Sequence, residues 1–316
     1  MNIKQLPLLI LLLVSATVWA QSPKHEIGIQ TDNDSYLATG SDRYYTNGIF
    51  LYYRQALLIK NKENSSLVNK VLGFEAGQKM FNPQSGSVPS TMYIDRPFAG
   101  YLYVGSTLNL LYQNEGNLKL GAQIGVVGPA SKAEQAQEFI HNTFGFYPAQ
   151  GWQYQIRNDY ELNLSAEYNK LLVRASSVDL SFSSYANLGN GFTGAGIGPF
   201  VRLGRFNQLF NSSITQSSVS NENLNKLNKR ELYFYYKPML NYIGYDATVQ
   251  GSLFKDYSNT NQITATPERI MISNQAGLDY SSNHFTIDAS VIFHTKDVKE
   301  MIRAHQWGSV AAFYRF

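Results

Sequence analysis

The chain predicts an all-β fold: a transmembrane antiparallel β-barrel of about twelve strands, with one short helix in an extracellular loop. Three observations carry that expectation. Period-two alternation of apolar and polar residues dominates the sequence. It is cleanest where Phe285, Ile287, Ala289, Val291 and Phe293 share one face and Thr286, Asp288, Ser290 and Ile292 the other. Beyond residue 20 there is no uninterrupted apolar run of the ~18 residues that a spanning helix needs. Charged residues make up only 16% of the chain, while Tyr and Phe number 22 and 18. Soluble domains are typically about a quarter charged, whereas a barrel wall is apolar outside, polar inside and ringed by aromatics.

Residues 1–20 read as a secretory signal peptide. Lys4 supplies the positive start, Leu6 to Val14 the apolar core, and Val18-Trp19-Ala20 the small-residue cleavage site before Gln21. Residues 21–316 then form a single outer-membrane barrel domain. Its strands are expected at 25–34, 46–58, 68–80, 96–112, 116–127, 153–168, 171–187, 190–205, 231–243, 267–281, 283–297 and 306–316. An even number returns both chain ends to one side. With the N-terminus periplasmic, the long loops 35–45, 81–95 and 128–152 face the exterior, and the short links 113–115, 169–170 and near 282 face the periplasm. Residues 206–230, rich in Asn and Ser, break that asymmetry. They are either a flexible periplasmic link or the sign of a miscounted strand nearby.

In the last strand Val310, Ala312, Tyr314 and Phe316 share a face. A terminal aromatic on such a strand resembles the recognition signal of outer-membrane barrels, which makes the barrel-assembly machinery an expected partner during biogenesis. Cysteine is absent, so neither disulfides nor thiol chemistry are available. The net charge of +3 is too weak to imply nucleic acid. A monomer in the outer-membrane bilayer is the expectation.

The chemistry concentrates between Thr31 and Gly48. Asp32, Asn33 and Asp34 end the first strand, Asp42 follows in the loop, and Thr46 and Asn47 begin the second strand. These oxygen-bearing groups suit a hard cation, so calcium is the expected cofactor, with Asp34 and Asp32 as ligands. Taken alone, the Asp-Asn-Asp run is also what an Asx-turn requires.

The third outer loop carries the one convincing helix, from Ser131 to Gly145. Ser131 reads as an N-cap with Glu134 completing a capping box, Ala133, Ala136 and Ile140 as an apolar stripe, and Gly145 as the stop. Glu134, Gln137 and His141 then share a face, which is expected to fold over the barrel mouth toward the first two strands. A neutral histidine takes a proton from water near neutral pH, and a calcium ion polarises an ester carbonyl. Ester hydrolysis without a serine nucleophile follows. Arg43 and Lys132, near the mouth, are candidates for phosphate contact.

These residues resemble the outer-membrane lipid A 3-O-deacylases, twelve-stranded barrels that remove an acyloxyacyl chain from the 3′ position of lipid A. The matching pieces are Asn33-Asp34, the segment Asp42 to Gly48, the segment Asp95 to Tyr103, Gly125 to Pro129, and Gln137 with His141, Gly145 and Gly151-Trp152. The resemblance implies that His141 is the general base. It also implies that Asn33, Asp34 and Thr46 shape the catalytic site with calcium, and that Gln137 positions the reacting groups. The substrate would be lipid A, in lipopolysaccharide of the outer leaflet, and the site would face the exterior. Where members of that family carry an acidic residue between helix and tryptophan, this chain reads Phe146-Tyr147-Pro148-Ala149-Gln150. Two other readings stand beside the deacylase: a passive porin or structural barrel, and an outer-membrane phospholipase using serine and histidine.

Overall fold

The computed structural model describes residues 22–37, 42–60 and 65–316. The signal-peptide segment 1–20 lies outside them. Among the described residues twelve antiparallel strands close into one barrel. They are β1 (His25–Asn33), β2 (Tyr44–Ala56), β3 (Leu67–Asn82), β4 (Ala99–Tyr112), β5 (Gly116–Val127) and β6 (Asp159–Arg174). The second half comprises β7 (Val178–Gly189), β8 (Phe192–Arg205), β9 (Glu231–Asp246), β10 (Ile270–Ser281), β11 (Phe285–His294) and β12 (His305–Arg315). Each strand pairs with its sequence neighbours, and β12 closes on β1 with Glu26 opposite Arg315 and Asn33 opposite Gly308. Closure pairs every edge, which a wall in lipid requires because hydrocarbon offers backbone groups no partner. Among the described residues no helix is long and apolar enough to cross a membrane.

The two faces of the wall follow the alternation in sequence. Ile27, Ile29, Leu51, Phe74, Val104, Ile124, Leu240 and Ile272 are exposed on the outside. Inward side chains form ion pairs: Glu26 takes Arg315 at 2.7 Å and also Arg54, and Lys119 meets Glu167 at 2.7 Å.

The largest boundary errors fall at β6 and β7. Expected at 153–168, β6 begins at Asp159 and runs on to Arg174, and β7, expected from 171, begins at Val178. Residues Trp152–Tyr154 form a 3-10 turn, and the Ile156 N–H bonds to the Phe98 carbonyl, holding this stretch against the rim of β4. At the other end Arg174 reaches Glu115 and Asp179, so the strand persists past the link expected at 169–170.

Segment 206–230 is neither a loose link nor a miscounted strand. It folds back into the end of the barrel that holds both chain termini. Asn69 donates to the carbonyls of Phe210, Ser217 and Val219, and Asn109 to that of Thr215. Val219 packs against Ala56, Val71 and Leu111, and Phe206 against Tyr233 and Tyr235. Arg202, fully buried, donates two hydrogen bonds to Asp179, one to the Ser212 hydroxyl and one to the Asn207 carbonyl. The Asn and Ser content that resembles a flexible linker is used here on backbone groups, Ser217 donating to the Leu209 carbonyl, Asn221 to that of Ala56 and Asn228 to that of Phe206.

Candidate active site on the outer wall

The outer ends of β2, β3 and β4 carry the site, and alternation decides which way it opens. On β3 Phe74 is lipid-facing, so Ala76, Gln78, Met80 and Asn82 point outward too. On β4 Leu102 and Val104 fix the same side for Gly100. Helix α1 (Ala133–Phe144) rests on this outer surface and not over the barrel mouth. Met80, Val88, Phe98, Ala133 and Trp152 form one buried apolar cluster beneath it. Gly100 makes the approach possible: a Cβ there would lie 2.3 Å from the Ala133 Cβ. The Gln78 amide donates to the Ser131 carbonyl at 2.7 Å, anchoring the segment before the helix.

The capping box expected at Ser131 does not form. Lys132 adopts a left-handed conformation, φ 61°, which separates Ser131 from the helix. The Ser131 hydroxyl instead donates to the Gly128 carbonyl, and Glu134 accepts from Gln155. The expected stop is present, with Gly145 left-handed at φ 71° and its N–H bonded to the His141 carbonyl. The face turned to the wall carries Ala133, Gln137 and His141, four residues apart; of the expected stripe, Ala133 is buried and Ala136 packs partly buried against the same cluster.

His141 is only 3% exposed. Its Nδ1 lies 2.6 Å from the Tyr147 carbonyl and its Nε2 2.8 Å from Asp42 Oδ2. A carbonyl only accepts, so Nδ1 carries a proton. Nε2 faces the Asp42 carboxylate. The Tyr147 hydroxyl donates to the same Asp42 oxygen at 2.6 Å. Burial, with Asp42 beside it, pushes the Tyr147 hydroxyl far above its ordinary range and keeps it a donor.

Loop one brings Asp42 to this place. Asp42 and Tyr44 take positive φ angles, 42° and 58°. The Asn82 amide holds the Asp42 carbonyl at 3.1 Å. Thr46 sits at the irregularity in the β2–β3 register. Its hydroxyl lies 3.2 Å from Asp34 Oδ1 and 3.3 Å from Asp42 Oδ1. Asp34, 1% exposed, opens a 3-10 turn after β1 and accepts from the Arg43 backbone N–H at 3.0 Å. Burial pushes its carboxyl up to about 6; the Arg43 N–H opposes the shift, the charge of Asp42 adds to it, and the Thr46 hydroxyl opposes it.

The remaining expected residues divide. Gln137 is in the site: its carbonyl oxygen accepts from Trp152 Nε1 at 2.8 Å. Its Nε2 and Asn82 Oδ1 are buried with no hydrogen-bond partner among the described residues. Gly86 of the second outer loop leaves the room, since a Cβ there would lie 2.9 Å from Gln137 Nε2 and from the Tyr147 hydroxyl. Asn33 faces outward opposite Asn47, and its side chain accepts from Ser35 N–H at 2.7 Å, the Asx-turn. Asp32 lies on the inner face, where it accepts from the Tyr45 hydroxyl at 2.8 Å and from Gln30. It does not join Asp34. Lys132 is exposed at the start of α1. Arg43 lines a cavity of about 270 Å³ with Asp34, His305 and Arg303, a residue the sequence did not single out.

Sequence reasoning ranked Asp42 below Asp34, yet Asp42 is the group in contact with His141. The signal was present: the chain has no carboxylate between the helix and Trp152, so the acid beside the histidine had to come from elsewhere.

Among the described residues no cluster of three or more acidic or histidine side chains is arranged as a metal cage. In kind, Asp34, Asp42 and Thr46 do fit calcium, being hard oxygen donors gathered on one hydroxyl. The burial that raises the Asp34 carboxyl is a cost that a cation relieves.

The family described as "Outer membrane protein LpxR" matches residues 6–316. Among solved structures, LpxR from Salmonella typhimurium is similar with a TM-score of 0.74 at 20% identity, covering 92% of this chain and 100% of that one. The β domain of the Bordetella autotransporter BrkA is similar with a TM-score of 0.49 at 8% identity, covering 94% and 100%. No curated protein matches the sequence.

Proposed function

The chain belongs to the LpxR outer-membrane protein family, and on that premise we propose that it is a calcium-dependent lipid A 3-O-deacylase of the outer leaflet. It hydrolyses the ester that joins an acyloxyacyl chain to the 3′ position. The observation that carries the reading is the orientation of His141. It faces the Asp42–Thr46–Asp34 group on the lipid-facing wall, where a lipid headgroup arrives sideways from the membrane, and not the lumen.

The Tyr147 carbonyl holds Nδ1–H and fixes the ring, so Nε2 is the atom that takes the proton. Asp42 shifts from direct contact to admit a water at Nε2, and its charge stabilises the imidazolium as water attacks the ester carbon. Gln137 Nε2, buried and unpartnered among the described residues, is the donor for the carbonyl oxygen as it gains charge. Trp152 fixes that amide by holding its oxygen. When the ester C–O bond breaks, His141 returns its proton to the departing sugar oxygen. The products are a free acyloxyacyl acid and a 3′ hydroxyl. A calcium ion held by Asp34, with Asp42 and Thr46, supplies polarisation of the ester carbonyl when bound.

The test is mass spectrometry of lipid A from cells making the wild type, His141→Ala or Asp34→Ala, with and without a calcium chelator. Loss of the 3′ chain in the wild type alone, prevented by the chelator, is expected. Unchanged acylation in all samples despite assembled barrels would refute the reading.

A further inference from the structure

The lipid-facing wall below His141 is not evenly covered. Across β2 to β5 the outward side chains form rows: Leu51, Ala76, Val104 and Ile124 lie in register. One step toward the periplasm come Phe74, Ser106 and Ala122. Ala76, Ser106 and Ala122 are small among large exposed neighbours, and an open groove of about 600 Å³ lies over them. Leu51, Phe74, Val104 and Ile124 are 47–60% exposed and give it apolar walls.

The groove points at the site. On β3, Ala76 is followed on the same face by Gln78, which anchors Ser131, then by Met80 beneath α1, then by Asn82, which holds Asp42. At about 3.4 Å per strand residue, its upper edge at Ala76 is ~13 Å from Met80 and ~20 Å from Asn82. Ser131 and Ala133 cover Gln78 and Met80, so an extended acyl tail whose ester lies at His141 passes beside that segment and enters the groove at Ala76. The groove is continuous with the belt by which the barrel contacts hydrocarbon, so acyl chains occupy that depth.

We propose that this groove binds the acyl chain of the substrate in line with His141 and so selects for chain length. Which lipid the chain belongs to rests on the deacylase reading; the groove rests on the wall itself. Lipid beside a smooth wall packs in any orientation. Here the gap over Ala76 and Ala122 gives one tail a defined place between apolar walls.

The experiment fills the gap with Ala76→Phe and Ala122→Phe together, and uses Ile272→Phe on the far wall as control. Purified proteins in vesicles are given lipid A bearing either the long 3′ chain or a short-chain analogue. The ratio of long-chain to short-chain rates is expected to fall about tenfold or more in the filled variant and to stay at the wild-type value in the control. An unchanged ratio in the filled variant overturns the proposal. A second readout needs no turnover: lipid A with a diazirine in its acyl tail is photolysed with the wild type and with His141→Ala. Labelling concentrated on the Phe74–Gln78 peptide, and lost on filling, supports the groove even if nothing is hydrolysed, in which case only the deacylase reading falls. Even labelling around the barrel overturns the groove.

Discussion

The two ends of this barrel bury carboxylates in opposite ways. At the end closed by segment 206–230 Asp179, wholly buried, is met by the Arg202 guanidinium through two hydrogen bonds, with Arg174 at 2.9 Å as well. Guanidinium groups hold their charge at any physiological pH and fit a carboxylate in a fixed fork, so this end is locked. At the outer end Asp42 is met by an imidazole and a phenol, groups that exchange protons. An amide donor is left without a partner beside them among the described residues. One arrangement closes the barrel with segment 206–230; the other keeps polar groups available for a substrate.

The sharpest way to break the comparison is His141→Ala. If His141 is the general base, the variant is expected to deacylate roughly 10² to 10⁴-fold more slowly, measured as acyl release by purified protein, with heat-induced unfolding of the barrel unchanged. Arg202→Met should do the reverse. Removing one partner of a buried pair costs about 3–5 kcal/mol of stability, visible as a lower denaturant midpoint, while turnover per folded molecule stays within about twofold of wild type. If Arg202→Met instead abolished turnover in folded barrels, the two ends would not be separable.

Smaller effects sharpen the outer end. Asp42→Asn keeps the shape but removes the charge that orients His141, and a loss of about 10–100-fold is expected. A variant as active as the wild type would show that Asp42 only fills space. Trp152→Phe deletes the hydrogen bond to Gln137, worth about 1 kcal/mol or roughly fivefold in rate. That loss should appear in kcat, because the amide acts on the carbonyl oxygen as charge develops.

The strands and their order were legible because period two survives in a wall that is lipid on one side and polar on the other. Ile27 and Ile29 against Glu26 and Gln30 is enough to place β1. The His141 helix was also legible, through Gly145 and the spacing of Gln137 and His141. Where it packs was not. The outward alternation of Gln78, Met80 and Asn82 was present in the sequence, but polar residues near a strand end do not announce which side a loop will cover. The capping box failed because Lys132 turns left-handed, a backbone choice that Ser131 and Glu134 cannot reveal. Asp42 and Arg202 were hidden for one reason: their partners lie 99 positions away at His141, or on a neighbouring strand and a folded-back segment. Long-range pairing leaves no local pattern.

Whether His141 activates water against an ester on the lipid-facing wall is tested by hydrolysis of lipid A in ¹⁸O-labelled water. Label is expected in the carboxylate of the released acid and not in the sugar hydroxyl, with release abolished in His141→Ala. Release by His141→Ala at the wild-type rate, or label on the sugar, would contradict it.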